Sequence, residues 1–298
     1  MGATWFNNQH IHLKQLLKEF GIPYFEQYVK GTSYYQQLST AAAKPLSLPP
    51  QPPSYRIVGG STVLIKALAE YIGSENILLN ESLKQIDFSK QRVTIKTDKV
   101  FTAEKVVLAL PPKLWVNNIK FIPELEPNLK EISEHTHTWM EESVKVALTY
   151  KEPFWRINKQ SGTLFSNMGP IMEFYDHCDF NEQRFALCGF INPNLGKLGY
   201  KERKKLIINH IVSVFGNEAA DLIDYNETLW NRENETYKKS ESSLGAHQNN
   251  GHPIFRKPYF MERLFIASSE VAVGHPGYME GAIVSAKGIF DKLTTENS

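Results

Sequence analysis

LFIASSEVAVGHPGYMEGA, residues 264–282, decides the fold class. Leu264-Phe265-Ile266-Ala267 is a short, wholly apolar run, the pattern of a strand covered on both faces. A Gly/Pro loop follows. Beyond it, the small residues Gly281, Ala282, Ser285 and Ala286 belong to a helix predicted from about Gly277 to Leu293. The start of such a helix offers free N–H groups and the positive end of its dipole to an anion.

Working outward, Val106-Val107-Leu108-Ala109-Leu110 is a second run apolar on both faces, stopped by Pro111-Pro112, as in a parallel sheet. Tyr55–Val58 reads as a strand, Gly59-Gly60-Ser61 as a tight turn, and a helix follows to about Ile72. Ile77–Leu79, Leu83–Ile86, Val93–Lys96 and Phe185–Ile191 are further strand candidates. Helices are predicted over 8–20 and 200–215. Pro45, Pro49, Pro50, Pro52 and Pro53 exclude helix interior and central strand from 38–54, which reads as an extended connector. Strands and helices mix throughout, so the class is α/β or α+β with a discontinuous two-domain layout.

The chain has 298 residues with 33 Lys+Arg against 32 Asp+Glu, so net charge gives no argument for nucleic acid or an anionic membrane. No run approaches the roughly 18 apolar residues of a membrane span. No secretory leader is visible at the start, and two cysteines make neither a disulfide framework nor a zinc site. The default expectation is a cytoplasmic protein. Asp176-His177-Cys178-Asp179 is rich in ligand types, yet four consecutive residues rarely converge on one ion, and no metal is expected. Gly-x-Ser-x-Gly, Walker A and Gly-x-Gly-x-x-Gly patterns are absent.

Ser143–Tyr150 alternates, with Val144, Val146, Leu148 and Tyr150 on one side and Ser143, Lys145, Ala147 and Thr149 on the other. The ordinary reading of Lys145 is a solvated lysine on a half-exposed strand. The alternative is a lysine lining a cavity, because its neighbours are small and the strand runs into Tyr150, Phe154 and Trp155.

Taken in order, these segments resemble the flavin-containing amine oxidase family, the monoamine oxidases and their bacterial relatives. Ser143-Val144-Lys145 with Tyr150-Lys151-Glu152-Pro153-Phe154-Trp155-Arg156 is similar to the family's lysine strand, and Gly277–Ala282 to its C-terminal flavin helix. Val58–Ser61, Ala109–Pro112, Gly189-Phe190 and Gly2–Trp5 are supporting matches. The resemblance implies an FAD/NAD(P)-binding-like doubly wound α/β domain, incomplete at its N-terminus, with a smaller mixed substrate domain. The implied boundaries are 1–34, 54–130 and 231–298 for the FAD-binding part, 35–53 for the connector and 131–230 for the substrate domain.

The implied activity is oxidation of a small-molecule amine to an imine with FAD, the electrons passing to dioxygen or another acceptor; oligomeric state is left open. A flavin-dependent desaturase on a non-amine substrate and a truncated, non-catalytic remnant stand as alternatives. Lys145 would hold the flavin N5 edge through a water, and Tyr278 would be one wall of an aromatic pair guiding the substrate nitrogen. Phe190 and Trp230 would line the cavity. Gly2, Ala3, Thr4, Trp5, Ala109, Ser268, Ser269, Gly277 and Met279 would touch FAD, with Leu83 by the adenine.

Four departures from the family pattern stand out. No dinucleotide-binding βαβ unit precedes Gly2, so a truncated member is expected. The Pro-rich connector replaces a long helical insertion, and Ser268 replaces a glycine. Tyr237-Lys238-Lys239-Ser240 falls where a cysteine and an aromatic are usual. The flavin is therefore expected to be non-covalent, and the second aromatic wall is unassigned.

Overall fold

The computed structural model describes residues 1–38, 41–47, 51–167, 169–239 and 243–295. They form two compact units, one from residues 1–9, 21–64 and 142–233, the other from 10–20, 65–141 and 234–298.

The first unit is built on a seven-stranded sheet. Its strands run in the order Leu222–Leu229, Val144–Tyr150, Phe185–Ile191, Ile171–Asp176, Gln160–Ser166, Thr32–Gln36, Lys44–Leu46. Pairing is antiparallel except between Gln160–Ser166 and Thr32–Gln36. The proline-rich stretch contributes the last of these strands, and Pro45 sits there at the sheet edge, where a residue lacking N–H is tolerated. Residues 39–40 and 48–50 of that stretch, Pro49 and Pro50 included, lie outside the described residues. Trp5–Asn7, Ser54–Ile57 and Tyr24–Glu26 make a separate three-stranded antiparallel sheet.

Alternation gives the large sheet two different faces. Val144, Val146, Leu148, Leu164, Phe174, Leu187 and Ile191 point to one side. There they bury against Ile207, Ile211 and Phe215 of the helix Tyr200–Phe215. The residues between them face the other way and line cavities. One irregularity matters. The register shifts between Ile171 and Glu173, a bulge at Met172 that puts both Ile171 and Phe174 in the core and turns Glu173 and Tyr175 to the cavity face. Opposite the bulge, a Cβ on Gly189 would stand 1.9 Å from the Glu173 carbonyl oxygen, so the close approach of the two strands requires glycine there.

A buried ionic knot ties the sheet to its flanks. Asp176 accepts from Trp155 Nε1 (2.8 Å), Arg156 Nε (2.6 Å) and Nη2 (2.9 Å), and the Cys178 amide (3.1 Å). Arg56 donates to the Cys178 carbonyl (2.7 Å) and to His177 Nδ1 (3.1 Å). The acidic and cysteine neighbours of His177 thus serve the fold. Two histidines of this unit are held neutral. Burial, with the Arg56 and Lys145 cations, pushes His177 down to about 3, and burial pushes His210 down to about 4. His210 accepts from the Ile171 amide (3.1 Å) and donates to Gln36 (2.7 Å).

In the unfolded chain both histidines protonate below about pH 6.5, so the unfolded state binds more protons in that window. Their contribution to stability is complete above about pH 6.5 and is lost as pH falls toward 4 and 3. Urea unfolding is expected to lose on the order of 2 kcal/mol per histidine between pH 7 and pH 5. A midpoint unchanged over that range would contradict the assignment.

The second unit carries a four-stranded sheet in the order Lys120–Ile122, Gln85–Asp87, Val93–Lys96, Val100–Ala103. It also holds a parallel pair, Val106–Leu108 with Leu264–Ile266. Ile86, Phe88, Trp115, Leu129, Phe255 and Leu264 form its core. Pro112 opens the helix Pro112–Asn118, a position where a missing N–H costs nothing. Two expectations are corrected. Ile77–Leu79 follows a 3₁₀ turn, finds no partner strand among the described residues and leaves Leu78 and Leu79 exposed. The Val106–Leu110 run forms a strand only to Leu108, with Val107 and Leu110 exposed rather than covered.

Candidate active site

In the first unit the two-residue period of Val144–Tyr150 sends Lys145 away from the core, but not to solvent: it is 3% exposed. Its ammonium donates to the Gly2 carbonyl (2.8 Å) and to Thr4 Oγ1, and lies 5.0 and 5.4 Å from the ring centres of Trp5 and Phe190. Two oxygen acceptors and two aromatic faces are what a buried cation needs to stay charged. Burial still pulls Lys145 below the ordinary lysine range, with Cys188 opposing weakly. The solvated reading of Lys145 is thereby corrected: cross-strand neighbours and the amino-terminal segment cover it.

Two cavities flank this lysine. One, about 590 Å³, is lined by Lys145, Gly2–Thr4, Arg56 and the Gly59–Thr62 turn. The other, about 1000 Å³, is lined by Trp5, Phe190, Phe165, Tyr175, Glu173 and the connector prolines among others. Trp5 packs edge-on against Tyr175 (5.1 Å) and beside Phe190 (6.4 Å), and its indole N–H donates to Gln27 (2.8 Å). Gly2, Ala3, Thr4, Trp5, Lys145 and Phe190 are thus brought together. Trp230 is not among the residues lining either cavity. It is half-buried in a 3₁₀ turn whose amide donates to the Ser143 carbonyl (3.1 Å).

In the second unit the helix begins at Met279. Its first intrahelical bond is Ala282 N to Tyr278 O (3.2 Å), so the amides before it carry the positive pole of the helix. The preceding loop folds back on itself: the Gly277 amide donates to the Ser269 carbonyl (3.3 Å). Glycine is required twice here. A Cβ on Gly281 would stand 2.3 Å from the His275 carbonyl oxygen, and Gly277, at φ +81°, would drive one into Trp139 at 2.5 Å. Ser268 is buried, and Ser269 and Met279 are half-buried. Leu83 packs on the core of this unit, and Ala109 is exposed just beyond Leu108.

Glu280 does what no local cap does for the helix Ile11–Glu19. Its carboxylate accepts from the amides of His12 (3.1 Å) and Leu13 (2.8 Å) and meets the His12 ring (2.8 Å). Burial would raise its pKa, but these bonds outweigh that and hold it below the usual carboxylate range.

Tyr278 is 37% exposed and stands in an aromatic group the sequence did not foretell. The His247 ring lies parallel to it (17°, 6.4 Å) and is stacked on Trp139 (4.2 Å, 17°). Among the described residues no ring from Tyr237–Lys239 is in contact with Tyr278. Ser240 lies outside the described residues, Tyr237 packs by Lys113, and His247 comes seventeen residues after Trp230. The one signal was the Gly245-Ala246-His247 turn, with His247 at φ +58°.

The family model for flavin containing amine oxidoreductases matches residues 28–288. A probable flavin-containing monoamine oxidase A of Dictyostelium discoideum is 30% identical over 256 residues, covering 80% of this chain and 54% of that protein. A putrescine oxidase of Kocuria rosea is 29% identical over 216 residues, covering 66% and 45%. The chain thus spans about half the length of the curated relatives it matches. A solved putrescine oxidase with bound putrescine superposes with a TM-score of 0.85 at 19% identity, covering 98% of this chain and 88% of that one. That likeness shows the mixed α/β fold implied by the sequence. No helix among the described residues is long and apolar enough to cross a membrane. On the extent and order of these matches, the chain belongs to the flavin-containing amine oxidoreductase family.

Proposed function

We propose that this chain carries the catalytic residues of an FAD-dependent amine oxidase. The observation that carries the reading is Lys145, a buried cation held by Gly2 and Thr4 against two aromatic rings and lining the smaller cavity. FAD would be held by Gly2, Ala3, Thr4 and Trp5 and by Ser268, Ser269, Gly277 and Met279, without a covalent bond. The donor set suits it: a lysine ammonium and a helix N-terminus are both cationic poles for the negative charge a flavin gains on reduction. When bound, FAD supplies the acceptor for the hydride equivalent removed from the amine α-carbon. On this reading 1–34, 54–130 and 231–298 serve the cofactor and 131–230 the substrate.

The chain's own part is orientation and desolvation. Trp5, Phe165 and Phe190 give the large cavity apolar wall, which favours the neutral amine, the form with an available nitrogen lone pair. Tyr278 and His247 form the aromatic pair that aligns the substrate nitrogen. Lys145 keeps a positive charge close to where dioxygen takes up electrons.

Anaerobic mixing of the FAD-loaded chain with a panel of amines tests this, read by bleaching of the visible flavin band. Tyr278→Ala and His247→Ala are each expected to slow bleaching about 10–100-fold, the cost of losing alignment, while His247→Phe retains most of the rate. Failure of every amine to bleach the band would sink the amine reading and leave the fold intact.

A further inference from the structure

The residue that opens the helix Ile11–Glu19 breaks a local rule. His10 occupies the N-cap position, where a Ser, Thr, Asp or Asn side chain ordinarily accepts from the first helical amides, yet its side chain makes no capping bond. Glu280 caps instead, from the helix Met279–Thr295, by accepting from the His12 and Leu13 amides. The His10 imidazole is thereby released from its own helix. It is 3% exposed, and its Nδ1 is buried without a hydrogen-bond partner among the described residues. An orphaned ring nitrogen in a buried place costs stability, and a broken local preference of this kind points to what the ring touches.

It touches the turn that presents Tyr278. The His10 ring stands edge-on to His275 (4.7 Å, 70°) and to Tyr278 itself (5.7 Å, 61°). His275 lies at φ +52°, a backbone conformation uncommon outside glycine, and its carbonyl accepts from the Tyr278 amide (3.2 Å). Three rings therefore flank the exposed tyrosine: His247, Trp139 at 6.2 Å, and His10. The first two are half-buried, and His10 is the buried one.

The titratable groups about His10 are His275 and Tyr278 from the turn, Glu280 from the helix Met279–Thr295, and His12 on its own helix, whose ring is held by Glu280. Lys14, one turn on, meets it through a backbone amide (3.1 Å). Burial, with His275 beside it and Glu280 opposing weakly, holds His10 below the ordinary histidine range, so the ring is neutral near neutral pH. A proton there would place a charge in a buried site beside a second histidine, a cost that is relieved if the turn moves away and lets water in.

We propose that His10 is a positioning residue for the aromatic wall: neutral, it braces Tyr278 and the His275 turn, and on taking a proton it releases them, so that alignment of the amine is lost reversibly in acid. The inference rests on the amine oxidase reading and adds to it a brace that lies outside the two cavities flanking Lys145.

Hydrogen exchange of the amides of residues 275–282, corrected for the intrinsic effect of pH, tests the proposal without FAD or amine. In the unaltered chain, protection of the turn is expected to fall about tenfold between about pH 7 and about pH 4.5. His10→Phe keeps a ring in the slot but cannot take a proton, so its protection is expected to change less than about twofold over that range. His10→Ala, with no ring, is expected to exchange about tenfold faster already at about pH 7. Equal pH sensitivity in the unaltered chain and His10→Phe, or full protection in His10→Ala, would overturn the proposal. Anaerobic flavin bleaching at saturating amine gives a second readout. Its limiting rate is expected to fall reversibly in acid in the unaltered chain and to stay within about threefold in His10→Phe. No bleaching by any amine sinks the amine oxidase reading and leaves the exchange result standing. The same acid fall in His10→Phe sinks the role of His10 alone.

Discussion

Lys145→Met is expected to slow reoxidation of the reduced, FAD-loaded protein by dioxygen about 100-fold or more, while anaerobic reduction by amine changes far less. The asymmetry follows from where the charge sits. Reduction removes a hydride equivalent from a neutral amine and needs alignment, which Tyr278 and His247 supply. Dioxygen becomes negatively charged as it accepts electrons, and a fixed cation in a dry site stabilises that charge more than water would. Removing one such preorganised electrostatic contact costs about 3–4 kcal/mol in comparable settings, hence the expected factor. Methionine fits the slot between Trp5 and Phe190 and makes favourable contacts with aromatic rings, so the variant is expected to fold. Stopped-flow reoxidation against oxygen concentration, with the far-ultraviolet spectrum as a folding control, checks this. Equal slowing of both half-reactions would assign Lys145 to holding the cofactor instead.

The second large effect is on stability. Asp176→Asn is expected to cost about 3–5 kcal/mol in urea unfolding. Every group around Asp176 is a donor: the Trp155 indole, two guanidinium nitrogens of Arg156 and the Cys178 amide, with Arg56 at 3.9 Å. The carboxylate is fully buried and outweighs the effect of burial on Arg156, keeping that guanidinium firmly charged. An asparagine of the same shape turns an NH₂ toward donors, leaves Arg56 without its counter-charge and leaves Arg156 paired with Glu182 alone. Arg56 also lines the smaller cavity beside Lys145, so a loosened knot is expected to weaken FAD binding as well. A loss below about 1 kcal/mol would mean that solvent, not Asp176, balances these arginines.

The two carriers of the functional reading were legible in the sequence for different reasons. The Val144–Tyr150 strand announces itself by alternation, which settles that Lys145 and the core valines occupy opposite faces whatever the strand packs against. The segment 264–282 announces a strand, a loop and a helix by composition, and the structure has Leu264–Ile266 and Met279–Thr295 there. Gly277 and Gly281 could be noticed as glycines, but why no other residue fits was hidden until Trp139 and the His275 carbonyl came close.

Local pattern therefore determined which face a residue takes along an unbulged strand, and tertiary structure decided where the pattern breaks and what each residue meets. Gly2 and Lys145 are 143 residues apart, and only strand register and the path of the amino-terminal segment join them. His247 stands beside Tyr278 because a loop turns there, with no periodicity to announce it. Glu173 is the clearest case. Strict alternation from Ile171 sends it into the core, and the bulge, permitted by Gly189 on the next strand, sends it into the cavity. Side-chain period is a property of one strand and is written in consecutive residues. Bulges and register belong to pairs of strands, so they are decided only when distant segments compete for the same hydrogen bonds.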